Sequence, residues 1–179
     1  MLDPKRKGTK EMVSMYRCKG CGYLHVGPAP ETCPVCGAPK EFFVEYQGPG
    51  DLSGSKTLGN LAAAFAGESQ ANRRYTLWSR IAELEGAPAA VEAFDHAAAE
   101  ETAHALGHLA YMGGAGSTAE NLRAAAEGEG YEFREMYPGF ADEAEAEGFA
   151  EIAFYFRRVG SFEGLHKSGY EAALAELEG

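Results

Sequence analysis

The pattern of apolar and polar positions changes character about a third of the way along the chain. From about Tyr16 to Tyr46 the sequence is rich in Gly, Pro and aromatics and shows no helical period. From residue 55 onward alanine is abundant, and charged and apolar residues interleave at the three-to-four spacing of amphipathic helices. Between them Gln47-Gly48-Pro49-Gly50-Asp51-Leu52-Ser53-Gly54 carries breakers and no pattern, as a linker does. The reading is three segments: a small module over 1–46, a linker over 47–54, and a helical domain over 55–179.

The helical part resolves into four helices. The first is expected from Ser55 to Glu85, ending at Gly86. The second starts at Pro88, a good first-turn residue, and ends at Gly113-Gly114. The third opens on Ser117-Thr118-Ala119-Glu120, the reciprocal capping pattern of Ser followed three residues later by Glu, and runs to Gly148. The fourth runs from Phe149 to Leu177. Pro138 falls inside the third helix, where it lacks an N–H and crowds the carbonyl of Arg134, so a kink is expected there. Short connections between long helices imply antiparallel neighbours in a four-helix bundle. Trp78, Phe154, Phe156 and Phe162 read as core.

Charge and composition narrow the partners. The 179-residue chain carries a formal net charge of -11, which argues against nucleic acid. No apolar run is long enough for a membrane span, and the basic N-terminus (Lys5, Arg6, Lys7, Lys10) is not followed by an apolar stretch like that of a secretory signal. The expectation is a cytoplasmic protein with no membrane partner. Structural disulfides are rare in that compartment, which leaves the four cysteines available for metal.

Those cysteines form two knuckles, Cys18-Lys19-Gly20-Cys21 and Cys33-Pro34-Val35-Cys36. Paired Cys-x-x-Cys motifs wrap four thiolates around one ion, and by spacing alone a structural zinc ribbon fits as well as iron. Gly20 and Gly22 allow tight turns that aim backbone amides at the sulfurs.

A second constellation lies in the helices. Glu101-Thr102-Ala103-His104 and Glu163-Gly164-Leu165-His166 each put a carboxylate and an imidazole on one helix face. An internal repeat supports them. Gly67-Glu68-x-x-x-x-Arg73 recurs as Gly128-Glu129-x-x-x-x-Arg134, and the following Glu-x-x-His comes 33 residues after Glu68 and 34 after Glu129. One Glu from each of two helices and a Glu-x-x-His from each of the other two is the ligand recipe of di-iron carboxylate bundles. Carboxylates with one imidazole per ion suit iron or manganese better than copper. Glu132, one turn beyond Glu129, breaks the repeat, since its counterpart is Ala71.

The cysteine segment Tyr16–Tyr23 with Cys33-Pro34-Val35-Cys36-Gly37-Ala38-Pro39 resembles rubredoxin in the compact form attached to rubrerythrins. Ala66–Tyr75 and Gly128–Pro138 resemble the first and third helices of rubrerythrins, and the likeness spans nearly all of 16–179. The cysteine module precedes the helices, so the chain looks like the reverse arrangement of that family. The resemblance implies a ferritin-like bundle with two irons held by Glu68, Glu101, His104, Glu129, Glu132, Glu163 and His166, Glu101 and Glu163 bridging. It implies one iron on Cys18, Cys21, Cys33 and Cys36, although zinc also fills such sites in recombinant material.

The resemblance further implies that one iron toggles between Glu132 and His104, and that Tyr75 and Tyr137 stand beside the site. The activity it implies is reduction of hydrogen peroxide, with electrons from an NAD(P)H-linked reductase or a rubredoxin. It also implies a homodimer or higher homo-oligomer in which one chain's rubredoxin-like iron serves the other chain's di-iron site. The alternative reading is a ferroxidase or iron store.

Overall fold

A computed structural model describes residues 14–48, 50–114 and 116–179. The basic N-terminal stretch, the first residues of the 1–46 segment and Pro49 of the linker lie outside the described residues.

The chain is mainly helical, with a small strand module at the front. Strands β1 (Met15–Cys18), β2 (Leu24–Val26) and β3 (Phe43–Glu45) form an antiparallel sheet in the order β2-β1-β3. Tyr16 pairs with His25 on one side and Glu45 on the other. The core of this module is the metal site itself: Cys18, Cys33 and Phe43 are buried, with Tyr16, Tyr23 and Val35 packed against them.

The helices are α1 (Lys56–Leu84), α2 (Pro88–Tyr111), α3 (Thr118–Tyr131), α4 (Tyr137–Ala146) and α5 (Ala150–Glu178). Their starts follow local chemistry. The Ser55 hydroxyl caps α1 by accepting from the Leu58 N–H, and Pro88 sits in the first turn of α2. Ser117 and Glu120 cap α3 reciprocally. No helix among the described residues is long and apolar enough to cross a membrane.

The third helix departs from α geometry just before Pro138. Residues Glu132–Met136 are a π segment, in which the Tyr137 N–H bonds to the Glu132 carbonyl. Pro138 then starts the regular α4 in its first turn. A π turn holds one more residue than the α turn it replaces, and the sequence shows that residue. Glu68 and Glu129 are 61 apart, whereas Tyr75 and Tyr137, Gly86 and Gly148, and Glu101 and Glu163 are each 62 apart. The offset changes across the π segment, so the extra residue of the 34-residue spacing is absorbed there.

Two compact units are seen, the second running Gly116–Gly179. In the first, α1 packs along α2; in the second, α5 packs along α3 and α4. Small residues fill the seams: Ala71, Ala82, Ala103, Ala105 and Ala110 in the first, and Ala126, Ala141, Ala144 and Ala153 in the second. Of the four large aromatics expected in the core, Phe156 is half-buried. Trp78, Phe154 and Phe162 are exposed. A two-helix seam lined with alanine brings the backbones close, and bulky rings are displaced to its flanks.

Candidate metal centres

In the strand module, the Cys18 and Cys36 sulfurs are 3.8 Å apart and those of Cys21 and Cys33 3.7 Å apart. All four are free thiols. A tetrahedral ion with metal–sulfur bonds of ~2.3 Å has sulfur–sulfur edges of about 3.8 Å. Two edges thus already have the length a metal tetrahedron needs, and all four sulfurs lie within 4.8 Å of one another. Each knuckle closes on a glycine with positive φ, Gly22 at 82° and Gly37 at 72°, a conformation that side-chain-bearing residues rarely adopt. The Gly22 and Gly37 N–H groups bond back to the carbonyls of Cys18 and Cys33 at 2.9 Å.

Burial raises the Cys18 thiol, but the amides of Cys21 and Gly20 and the neighbouring thiols outweigh it, and the net pKa falls to about 7. Cys21, pushed up mainly by burial, stands at about 12. One thiolate is thus available near neutrality, and a cation is needed to hold four together.

In the first helical unit, Glu68, Glu101 and His104 place one donor atom each within 4.8 Å of the others. His104 Nδ1 lies 2.9 Å from Glu101 Oε2. The Glu68 carboxyl is held above its ordinary range by its hydrogen bond to Glu101, then by burial and the Glu101 charge. In the second unit Glu129, Glu163 and His166 make the same arrangement. There His166 Nδ1 stands 2.7 Å from Glu163 and 3.5 Å from Glu129. Burial raises the Glu129 carboxyl first, followed by its hydrogen bond to Glu163. Donors on one first-row ion, at bonds of ~2.0–2.2 Å, lie within about 4.4 Å of one another, so these separations suit a metal. Without one, acids crowd acids.

The remaining expected residues fall beside these triads. Glu132 is half-buried at the head of the π segment and is not one of the three clustered donors. Tyr137 is half-buried, and its phenol is raised first by burial and then by the charges of Glu163, Glu132 and Glu129. Tyr75 packs against Trp78 and Phe94, with ring centroids 5.6 and 6.2 Å away. Tyr137 does the same with Phe140 and Phe156, at 6.3 and 6.1 Å. Adding 62 to 75, 78 and 94 gives 137, 140 and 156, so the two aromatic triplets are copies. A search at the offset found after the π segment would have revealed them in the sequence.

Asn72 was also missed. It is 7% exposed, and its Nδ2 donates to the Ala98 carbonyl at 2.6 Å and to Thr102 Oγ1 at 2.8 Å. Its Oδ1 accepts from Arg73 Nε at 2.7 Å. It pins α1 to α2 one turn past Glu68 and beside Glu101. Its signal was a polar residue four positions from a ligand, on the same helix face.

Comparison with known proteins agrees with this geometry. The family model described as rubrerythrin matches residues 59–174, and that of the rubrerythrin rubredoxin-like domain matches residues 16–44. The chain belongs to the rubrerythrin family. It is 43% identical to a rubrerythrin of Porphyromonas gingivalis over 140 residues, 71% of this chain and 70% of that protein. Rubrerythrin-1 of Clostridium acetobutylicum is 38% identical, covering 71% of this chain and 74% of its own length. Reverse rubrerythrin-1 of the same organism is 38% identical over 103 residues, 50% of this chain and 57% of that one. As in the reverse arrangement read from the sequence, the rubredoxin-like domain comes first. The donor sets suit the rubrerythrin complement, one iron on four thiolates and a carboxylate-bound pair.

Proposed function

We propose that this rubrerythrin is a peroxidase that reduces hydrogen peroxide to water (H2O2 + 2 H+ + 2 e− → 2 H2O). The observation that carries the reading is the pairing in one compact unit of a four-thiolate tetrahedron with a carboxylate–imidazole triad. An iron store has no use for an attached one-electron carrier. When loaded, the di-iron centre supplies the two electrons and the four-thiolate iron replaces them singly.

In this reading residues 1–46 form the electron-carrier module, 47–54 the linker and 55–179 the di-iron domain. Cys18, Cys21, Cys33 and Cys36 hold the single iron. Glu68, Glu101 and His104 would hold one ion in the first unit, and Glu129, Glu163 and His166 one in the second. Glu132, beside the second triad, would serve as an additional, exchangeable carboxylate ligand, the role the resemblance gives it.

Tyr137 keeps its phenolic proton, because burial and three nearby carboxylates disfavour the phenolate. It can therefore donate a hydrogen bond to an oxygen bound beside Glu132. Tyr75, its repeat counterpart, serves the other half. Reducing equivalents come from an NAD(P)H-linked reductase or a rubredoxin.

The test is anaerobic stopped-flow absorbance on reduced, iron-loaded protein given one equivalent of peroxide. Fast oxidation of the di-iron centre followed by oxidation of the four-thiolate iron is expected. A slow reaction with peroxide and a fast one with dioxygen would overturn the reading.

A further inference from the structure

The four-cysteine module rests on α2 inside one compact unit, and three contacts fix it there. Strand β2 packs against the helix. The Tyr46 hydroxyl, just past β3, donates to the Ala110 carbonyl at 2.9 Å, an acceptor shared with the Gly113 N–H at 3.0 Å. The Tyr46 ring meets Tyr111 edge-on, with centroids 5.3 Å apart. The last contact involves the residue that follows a cysteine ligand. The carbonyl of Gly22, the residue after Cys21, lies 3.8 Å from where a Cβ on Gly107 would stand. Gly107 is buried, three residues past His104, and therefore one turn along the same face of α2.

A glycine inside a helix costs roughly 1 kcal/mol relative to alanine. Here it lets the knuckle backbone lie on the helix backbone. A methyl group at 107 would make ordinary contact with Gly22, but a longer side chain would meet the carbonyl head-on and lift the module away.

We propose that Gly107 is the notch, and Tyr46 the clasp, that set the point at which electrons enter the carboxylate centre. The path runs from Cys21 through Gly22, across one van der Waals gap to Gly107, and along one turn of α2 to His104. With iron in both sites, each passage would carry one electron from the four-thiolate donor set to the carboxylate one, so the donor would lose one and the acceptor gain one. No proton or bond changes hands at the contact. Transfer rate falls exponentially with gap width, so Gly107 and Tyr46 act as positioning residues. The direction of flow rests on the peroxidase reading; the contact does not.

The test uses full-length, iron-loaded protein and needs no peroxide. The four-thiolate iron is reduced by a flash, and its re-equilibration with the oxidised di-iron centre is followed by absorbance in wild type, Gly107→Ala, Gly107→Leu and Tyr46→Phe. Gly107→Ala should match wild type, and Gly107→Leu should slow transfer by roughly tenfold or more, because small misplacements of reacting groups carry such penalties. Tyr46→Phe should slow it less, with both iron spectra unchanged in every variant.

A second readout is independent of electron transfer. With iron rather than zinc in the cysteine site, paramagnetic broadening of NMR signals should reach residues 104–111 in wild type and recede in Gly107→Leu. Unchanged transfer and unchanged broadening in Gly107→Leu would overturn the proposal. Slowed transfer in that variant, in a protein that ignores peroxide, would leave the docking standing and remove the peroxidase.

Discussion

The hairpin of α1 and α2 and the hairpin of α3, α4 and α5 present the same three donors, yet they support them by different means. In the first, Asn72 hydrogen-bonds Thr102 across the seam. The corresponding pair in the second is Phe133 and Gly164, where the ring lies 3.1 Å from the position a Cβ on the glycine would take. A polar pin in one half is a ring seated on a bare backbone in the other. The flanking aromatic triplets recur, with Phe140 in the place of Trp78, and so do the Glu-Gly turns. The largest divergence near the donors is in the turn of helix after the lone glutamate, where the second half has a π segment and an extra acid. The duplicated parts carry the metal donors; the unduplicated turn is where the two halves can differ in chemistry.

The bluntest way to break the comparison is to remove the acid of each Glu-x-x-His. Glu101→Ala and Glu163→Ala should behave alike. Each should lose carboxylate-bound iron, measured by elemental analysis, while the four-thiolate absorbance persists. Peroxide turnover should drop by more than the ~10–100-fold that outer-shell changes cost. If one variant keeps two irons and the other loses both, the halves are not equivalent and the bridging assignment is wrong.

Glu132 sharpens the contrast. Glu132→Ala should keep both irons but lower turnover by roughly 10–100-fold. Full turnover with unchanged iron ligation would end the exchange of Glu132 with His104. The acid cannot simply be installed in the first half. Ala71, its counterpart, is 8% exposed in the α1–α2 seam. Ala71→Glu should destabilise the protein by several kcal/mol, on the order of a buried unpaired charge, as read by chemical denaturation.

Much of this was legible in the sequence, and the exceptions share a cause. The helix starts at Ser55, Pro88 and Ser117 were marked by local chemistry, which one residue and its neighbours decide. The cysteine tetrahedron and the Glu/His groupings followed from spacing, because a helix turn or a knuckle fixes which side chains meet. The π segment was anticipated only as a kink at Pro138, and its location upstream needed the change of repeat offset from 61 to 62. Trp78, Phe154 and Phe162 were misplaced because apolarity signals that a residue prefers burial, not that its own hairpin is thick enough to bury it. The Gly22–Gly107 approach left no trace, since two glycines far apart in sequence say nothing of their meeting.

The seam pins offer a middle-sized test. Asn72→Ala removes a buried amide that donates to Ala98 and to the exposed Thr102 and accepts from the exposed Arg73. Hydrogen bonds of this kind contribute about 0.5–1.5 kcal/mol each, so thermal denaturation should show a clear loss. Because Asn72 lies beside Glu101, metal bound at the first triad should weaken as well, while the second triad keeps its affinity. Equal weakening at both would mean that the halves share one cooperative support.

The smallest effect concerns how the two repeats begin. α1 starts with a single cap, the Ser55 hydroxyl accepting from Leu58 N–H at 3.2 Å. α3 starts with a reciprocal box, in which Ser117 N–H also donates to Glu120 at 2.8 Å. Replacing an N-cap serine by alanine costs about 1 kcal/mol. Ser117→Ala should sit at the upper side of that figure, because Glu120 loses its hydroxyl donor, and Ser55→Ala at the lower side. Both losses should appear in denaturant midpoints. Neither should alter iron content, because Glu68 and Glu129 lie more than two helical turns from their caps and end fraying dies out within a turn or so. Iron lost from Ser117→Ala alone would mean that the π segment leaves α3 too weakly anchored to survive a frayed start, and the second half would then be the softer one as well as the one with the extra ligand.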